Sequence, residues 1–280
     1  MKKISIGFSP CPNDTFIFDA LVNNRIDTGD YLFEPILADV EQLNKMSFEH
    51  TLDVTKISIG AFPKASSNYI ILDSGSALGK GVGPLLVSKA PVAETDIPKL
   101  KVAIPGKFTT ANLLLSTFFP LLENKSETLF SEIENMVLSG AADAGLLIHE
   151  GRFTYQKHGL HKLFDLGELW ESKMNLPLPL GCIVASRNIP LEERNEINVL
   201  IRKSIEFAYS QPDAGKEYIR THSQEMEPDV IAQHIALYVN DFSVTLGPDG
   251  RSAIAFLLHK GLETGLLPAV TQPIFNTDSI

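Results

Sequence analysis

The sequence predicts an α/β protein of two lobes with a cleft between them, and three features carry that reading. Short β-rich runs alternate with helical ones, which favours a largely parallel sheet covered by helices. The polar stretch Glu94 to Lys99 separates a first such unit from a second. Long helical patterns then fill the chain from Leu191 onward. On this reading residues 1–88 with about 188–280 form one lobe and residues 89–187 the other. The crossings are expected near 82–88 and 180–187, which are apolar runs bounded by Gly and Pro.

The elements follow in order. Lys3 to Phe8 alternates like a strand and ends in the breakers Ser9-Pro10-Cys11-Pro12. A helix follows at once to about Arg25, capped by Asn13 or Asp14, with Phe16, Ile17, Ala20 and Leu21 at helical spacing. Phe33 to Leu37 reads as a strand, and Asp39 to His50 as a helix that buries Val40, Leu43 and Met46. Val54 to Ile59, Tyr69 to Leu72 and Val82 to Val87 are further strands. In the second unit Lys101 to Ile104 is a strand closed by Pro105-Gly106, and Thr109 or Thr110 caps a helix from Ala111 to about Phe119. Helix Phe130 to Leu138 leads through Gly140 to strand Ala144 to Ile148, and Gly181 to Ala185 is a strand. Helical patterns then cover Leu191 to Tyr209, Asp213 to His222, Asp229 to Phe242 and Arg251 to Gly265.

With 280 residues, 44% hydrophobic and 21% charged, the chain can bury a sizeable core. Its 24 Lys+Arg against 34 Asp+Glu give a formal charge of -10, so no bulk field draws it to nucleic acid or an anionic membrane. Cys11 and Cys182 stand far apart with no Cys/His pair at zinc spacing, and no two histidines have H-E-x-x-H spacing. No metal is expected. The stretch Ile4 to Phe8 is too short for a signal-peptide core, and no run reaches the roughly 18 apolar residues of a membrane span. A cytoplasmic location is the expectation.

Several segments suit chemistry. Ser9 to Thr15 places free N–H groups and small polar side chains at a helix N-terminus, a place for an anion or simply a capped turn. Cys11 is either a thiol activated there or a buried inert one. Pro105-Gly106-Lys107-Phe108-Thr109-Thr110-Ala111 repeats the pattern without Walker spacing. Thr55-Lys56-Ile57-Ser58 ends a strand with one cation and two hydroxyls, either a substrate clamp or solvated surface. The glycine run Gly75, Gly79, Gly81 and Gly83 lacks the dinucleotide fingerprint and reads as a flexible approach to a crossing. His149 follows the apolar strand Ala144 to Ile148, where a side chain leaves the core; it is a general base or a hydrogen-bonded buried histidine. The other six histidines lack comparable placement.

Taken in register, five motifs resemble the 1,4-dihydroxy-6-naphthoate synthases of the futalosine route to menaquinone. They are Ser9-Pro10-Cys11-Pro12-Asn13-Asp14-Thr15-Phe16, Thr55 to Ser58, Gly79-Lys80-Gly81-Val82-Gly83-Pro84, Thr109-Thr110-Ala111, and Ile148-His149-Glu150-Gly151-Arg152-Phe153-Thr154-Tyr155. The resemblance continues through Asn175 to Gly181 and Tyr238 to Ser243. It implies a type II periplasmic-binding-protein-like fold with an interlobe cleft. It further implies a carbon–carbon lyase converting cyclic dehypoxanthine futalosine to 1,4-dihydroxy-6-naphthoate and dihydroxyacetone, with no cofactor because aromatisation drives the reaction. The family's proton acceptor falls on His149 and its substrate-binding segments on Lys56, Ile57 and Ser58 and on Thr110 and Ala111. Asn13, Asp14 and Arg152 are candidates for the cleft wall. The partner implied is a small carboxylated molecule. The competing readings are the pathway's chorismate dehydratase, similar in fold and substrate charge, and a non-catalytic binder of small carboxylates.

Overall fold

The computed structural model describes residues 1–223 and 227–276. The strands are β1 (Lys2–Phe8), β2 (Tyr31–Leu37), β3 (Val54–Ser58), β4 (Tyr69–Ile71), β5 (Ala77–Gly79), β6 (Leu85–Ser88), β7 (Val102–Ile104), β8 (Lys125–Glu127), β9 (Ala144–Leu147), β10 (His161–Asp165) and β11 (Leu178–Ser186). They form two sheets. The first runs β2-β1-β3-β11-β4 with β5 also paired to β11, and the second runs β8-β7-β9-β6-β10.

Both sheets follow one plan. Two parallel pairs, β1 with β2 and β3, or β7 with β8 and β9, are extended by one antiparallel strand, β11 or β6. That strand is the one by which the chain enters the sheet from the other half. Central position buries both its faces, so β6 and most of β11 read as continuous apolar runs. This is why the two runs look like crossings in the sequence. Residues 180–187 instead fall almost wholly inside β11, and the second half of 82–88 is β6, so the passages between sheets precede Leu85 and Leu178. The expected largely parallel sheet is corrected for the same reason, because an entering strand runs against its neighbours.

The helices are α1 (Pro12–Val22), α2 (Val40–Phe48), α3 (Phe62–Ala65), α4 (Thr110–Phe118), α5 (Ile133–Ser139), α6 (Gly151–Thr154), α7 (Leu166–Met174), α8 (Leu191–Ser210), α9 (Lys216–His222), α10 (Pro228–Tyr238), α11 (Asp241–Val244) and α12 (Gly247–Glu263). Asp39 caps α2 by accepting from the N–H groups of Glu41 and Gln42, and Thr109 caps α4 by accepting from Asn112. At α1 the expectation fails. Pro12 takes the first helical position, so Cys11 becomes the N-cap and Asn13 and Asp14 lie inside the first turn. Their side chains are thereby free for other work.

One apolar core runs from Ile57, Tyr69 and Leu78 of the first sheet to Leu86, Val102 and Leu146 of the second. The two halves therefore pack on each other directly. A second core under β1 and β2 is closed by α1 and α8. No helix among the described residues is long and apolar enough to cross a membrane.

Candidate active site

Where β3 and β11 of the first sheet meet β9 and the start of α4, a cavity opens between the two sheets. Lys56, Ile57, Ser58, Thr110, Ala111 and His149 all line it, together with Ser9, Asn13 and Asp14. Arg152 does not. Its guanidinium is bound to Asp165, 2.6 Å away, and to the Gly83 carbonyl, so it ties α6 to the start of α7 instead of walling the cleft.

His149 stands two residues past β9 with φ of 55°. A left-handed backbone is costly for a β-carbon-bearing residue and persists only where the surroundings enforce it. The bend turns the imidazole out of the sheet and into the cavity. Neither ring nitrogen has a hydrogen-bond partner among the described residues, and the ring is flanked by Phe130 at 4.9 Å between centroids. Burial lowers its pKa to about 4, with Asp14 and Asp39 opposing the fall and Lys56 adding to it. At neutral pH this is an uncharged base.

Opposite it, Lys56 Nζ lies 2.7 Å from Asp14 Oδ1 and 3.4 Å from the Gly75 carbonyl. Asp14 also accepts from Ser9 N–H, Ser9 Oγ and Asn13 Nδ2. The cation is thus matched by a carboxylate that has its full set of donors, and one ammonium proton is left over. An anion here is held by dipoles more than by net charge.

Those dipoles are in place. The backbone N–H groups of Thr110 and Ala111, in the first turn of α4, donate to no group among the described residues. Ser58 Oγ accepts from Asn44 Nδ2 at 3.2 Å, while Ser58 N–H donates to Asn44 Oδ1 at 2.9 Å. The hydroxyl proton of Ser58 is therefore free to donate into the cavity. Thr110 differs, because its hydroxyl proton goes to the Leu180 carbonyl at 2.6 Å and its oxygen accepts from Gly60 N–H at 3.1 Å. It ties the second half to the first, and the donor it leaves free is its backbone N–H.

Cys11 is buried at the α1 N-cap, and burial, Glu150 and Asp14 push its thiol well up, so it is neutral. Cys11, His149 and Glu150 nonetheless bring thiol, imidazole and carboxylate donors within 4.8 Å of one another, close enough to share a divalent cation. Sequence spacing did not show this grouping. Nor did it show Asn44, Tyr238 or His234, which come from α2 and α10; for His234 the one available signal was a polar side chain on the buried face of an otherwise apolar helix.

A family model described as menaquinone biosynthesis matches residues 4–263. The chain belongs to the menaquinone biosynthesis family. Within that family it is 42% identical to a 1,4-dihydroxy-6-naphtoate synthase of Thermus thermophilus, over 98% of this chain and 100% of the relative. It is 41% identical to the protein of the same name from Streptomyces coelicolor, over 95% of each. Among solved structures it resembles a protein of Archaeoglobus fulgidus, with a TM-score of 0.90 and 33% identity over 95% of this chain and 98% of that one. An alkanesulfonate-binding protein of Xanthomonas axonopodis pv. citri matches with a TM-score of 0.70 at 11% identity, over 96% and 95% of the two chains. That likeness is one of fold. This member of the menaquinone biosynthesis family has the two-lobed α/β fold of periplasmic binding proteins.

Proposed function

We propose that this chain is a carbon–carbon lyase that converts cyclic dehypoxanthine futalosine to 1,4-dihydroxy-6-naphthoate and dihydroxyacetone, with His149 as general base. The observation that carries the reading is the base itself. A neutral imidazole with both nitrogens unbonded projects, on a left-handed backbone, into a cavity with an anion-binding helix start and a free hydroxyl donor. The names of the two relatives support the same reaction.

The substrate carboxylate sits on the N–H groups of Thr110 and Ala111, with Ser58 Oγ donating to a second oxygen. Its negative charge raises the His149 pKa from about 4 back toward the working pH, where proton transfer is efficient. His149 then takes a substrate proton, the carbon–carbon bond breaks, the three-carbon fragment leaves and the remaining rings become aromatic. Aromatisation supplies the driving force, so the chemistry needs no electron carrier. The protein supplies position, a base and a site with little water. A cytoplasmic setting fits such a biosynthetic step.

The test is incubation of purified protein with cyclic dehypoxanthine futalosine, following the naphthoate by absorbance and mass, with chorismate run in parallel. Turnover of the first substrate that disappears in folded His149→Gln is the expected result. Turnover of chorismate instead, or binding of either acid without turnover, assigns the chain to one of the competing readings.

A further inference from the structure

Donor and acceptor counting around Asp14 fixes the state of a second histidine that lies beside the base. Asp14 Oδ2 takes Ser9 N–H and Oγ, and Oδ1 takes Lys56 Nζ and Asn13 Nδ2 at 2.8 Å. The Asn13 amide must therefore turn its NH2 toward Asp14, which leaves its oxygen facing His234 Nε2 at 3.0 Å. An amide oxygen only accepts, so Nε2 carries the proton. His234 is fully buried on α10, and its Nδ1 has no hydrogen-bond partner among the described residues. Burial, then His149, then Lys56 hold it well below the ordinary histidine range. It is thus a neutral imidazole of one defined tautomer.

Its ring lies parallel to that of His149, with 5° between planes and 6.0 Å between centroids. Tyr238 at 4.7 Å and Phe153 at 6.4 Å enclose it. The groups facing His149 are then Asp14 and Cys11 from the start of α1, Asp39 at the α2 cap, Lys56 from β3, its neighbour Glu150, and His234 from α10.

We propose that His234 is a positioning residue of the reaction. It is held in its Nε2–H tautomer by Asn13, keeps the His149 ring in register with the Asp14–Lys56 pair, and presents an uncharged π face to the imidazolium that forms when His149 takes the substrate proton. This rests on the reading of His149 as the base. A second cation at 6.0 Å would oppose that proton transfer, whereas a neutral ring stabilises the imidazolium by a cation–π contact. Removing it should slow turnover on the order of tenfold.

The test has one arm independent of activity. In protein labelled with 15N in its histidines, the ring nitrogen shifts of His234 should report a neutral Nε2–H tautomer throughout pH 5 to 8. A protonated His234, or an Nδ1–H tautomer, overturns the proposal whether or not the enzymatic reading holds. In the second arm His234→Gln, which keeps a donor for Asn13, and His234→Phe, which keeps the aromatic face, are compared by kcat, KM and pH profile. Both should lower kcat with KM within a factor of two or three, His234→Gln more than His234→Phe, and His234→Gln should move the acidic limb of kcat/KM upward as water reaches His149. Folded variants with wild-type kcat and an unmoved pH profile overturn it equally.

Discussion

Lys56 Nζ is paired with Asp14 Oδ1 at 2.7 Å, and the two side chains are only 6% and 3% exposed. A cation so placed is a structural partner before it is a substrate contact. Lys56→Met strands a buried carboxylate and should cost about 3–5 kcal/mol of stability. Asp14→Asn should cost a similar amount by stranding the ammonium. The double variant removes both charges and should recover most of the loss in urea denaturation. Additive losses would show that the two residues do not act as a pair.

Ser58 and Thr110 line the same cavity but should respond differently to loss of their hydroxyls. Ser58→Ala deletes a donor that no protein group uses, so its effect belongs to ligand binding. One hydrogen bond to a charged oxygen is worth roughly 1.5–3 kcal/mol, or about 10- to 150-fold in KM. Thr110→Val leaves the Gly60 N–H without its partner and the Leu180 carbonyl with the Ile59 N–H alone, and should lower the melting temperature while its N–H still binds. Steady-state kinetics beside thermal melts separates the two behaviours.

The pH dependence follows from His149. Its pKa is about 4 in the fold against an ordinary 6.5, so between those values the unfolded chain binds more protons than the folded one. Stability therefore rises with pH across that window and is complete above about pH 6.5. Each such histidine contributes a slope of at most about 1.4 kcal/mol per pH unit, and His234, lowered likewise, acts in the same direction. His149→Gln should flatten part of that slope in melts run from pH 4.5 to 7. In the wild type kcat/KM should hold down to about pH 5 and fall below it, because the free enzyme's base is protonated only there. A limb near 6.5 would mean an exposed imidazole.

Much of this site was legible in the sequence because its parts sit at punctuation. Breakers after β1 and β7 mark the starts of α1 and α4, and His149 ends an apolar strand, so each position could be read from local pattern. Strand β5 was not legible, since the glycine run that contains it looks flexible and becomes a strand only by pairing with β11. Strands β8 and β10 and helix α7 were missed for a related reason. β8 and β10 are short edge strands with little apolar pattern, and α7 starts at a cap, Asp165, that also holds Arg152. The pairing of His234 with Asn13 spans 221 residues, and no local rule reaches that far.

Across the passage between the two sheets, Gly83 meets Gly167 backbone to backbone. A Cβ built on Gly83 would lie 2.1 Å from the Gly167 nitrogen, and one on Gly167 would lie 2.7 Å from the Gly83 α-carbon. Neither neighbour is a side chain that can swing away. The same spot is held by the Arg152 guanidinium on the Gly83 carbonyl and by Asp165 on the Gly167 N–H. Gly83→Ala must therefore push the chain entering β6 away from α7, an overpacking cost of at least roughly 1–3 kcal/mol. The displacement also moves Pro84 and Val82, which line the cavity. Gly83→Ala should lower both the melting temperature and kcat/KM, whereas Gly81→Ala, whose Cβ meets nothing within 4 Å, should lose only the smaller strain of its positive φ of 70°. Equal effects of the two substitutions would show that the contact with Gly167 is not what makes glycine necessary at position 83.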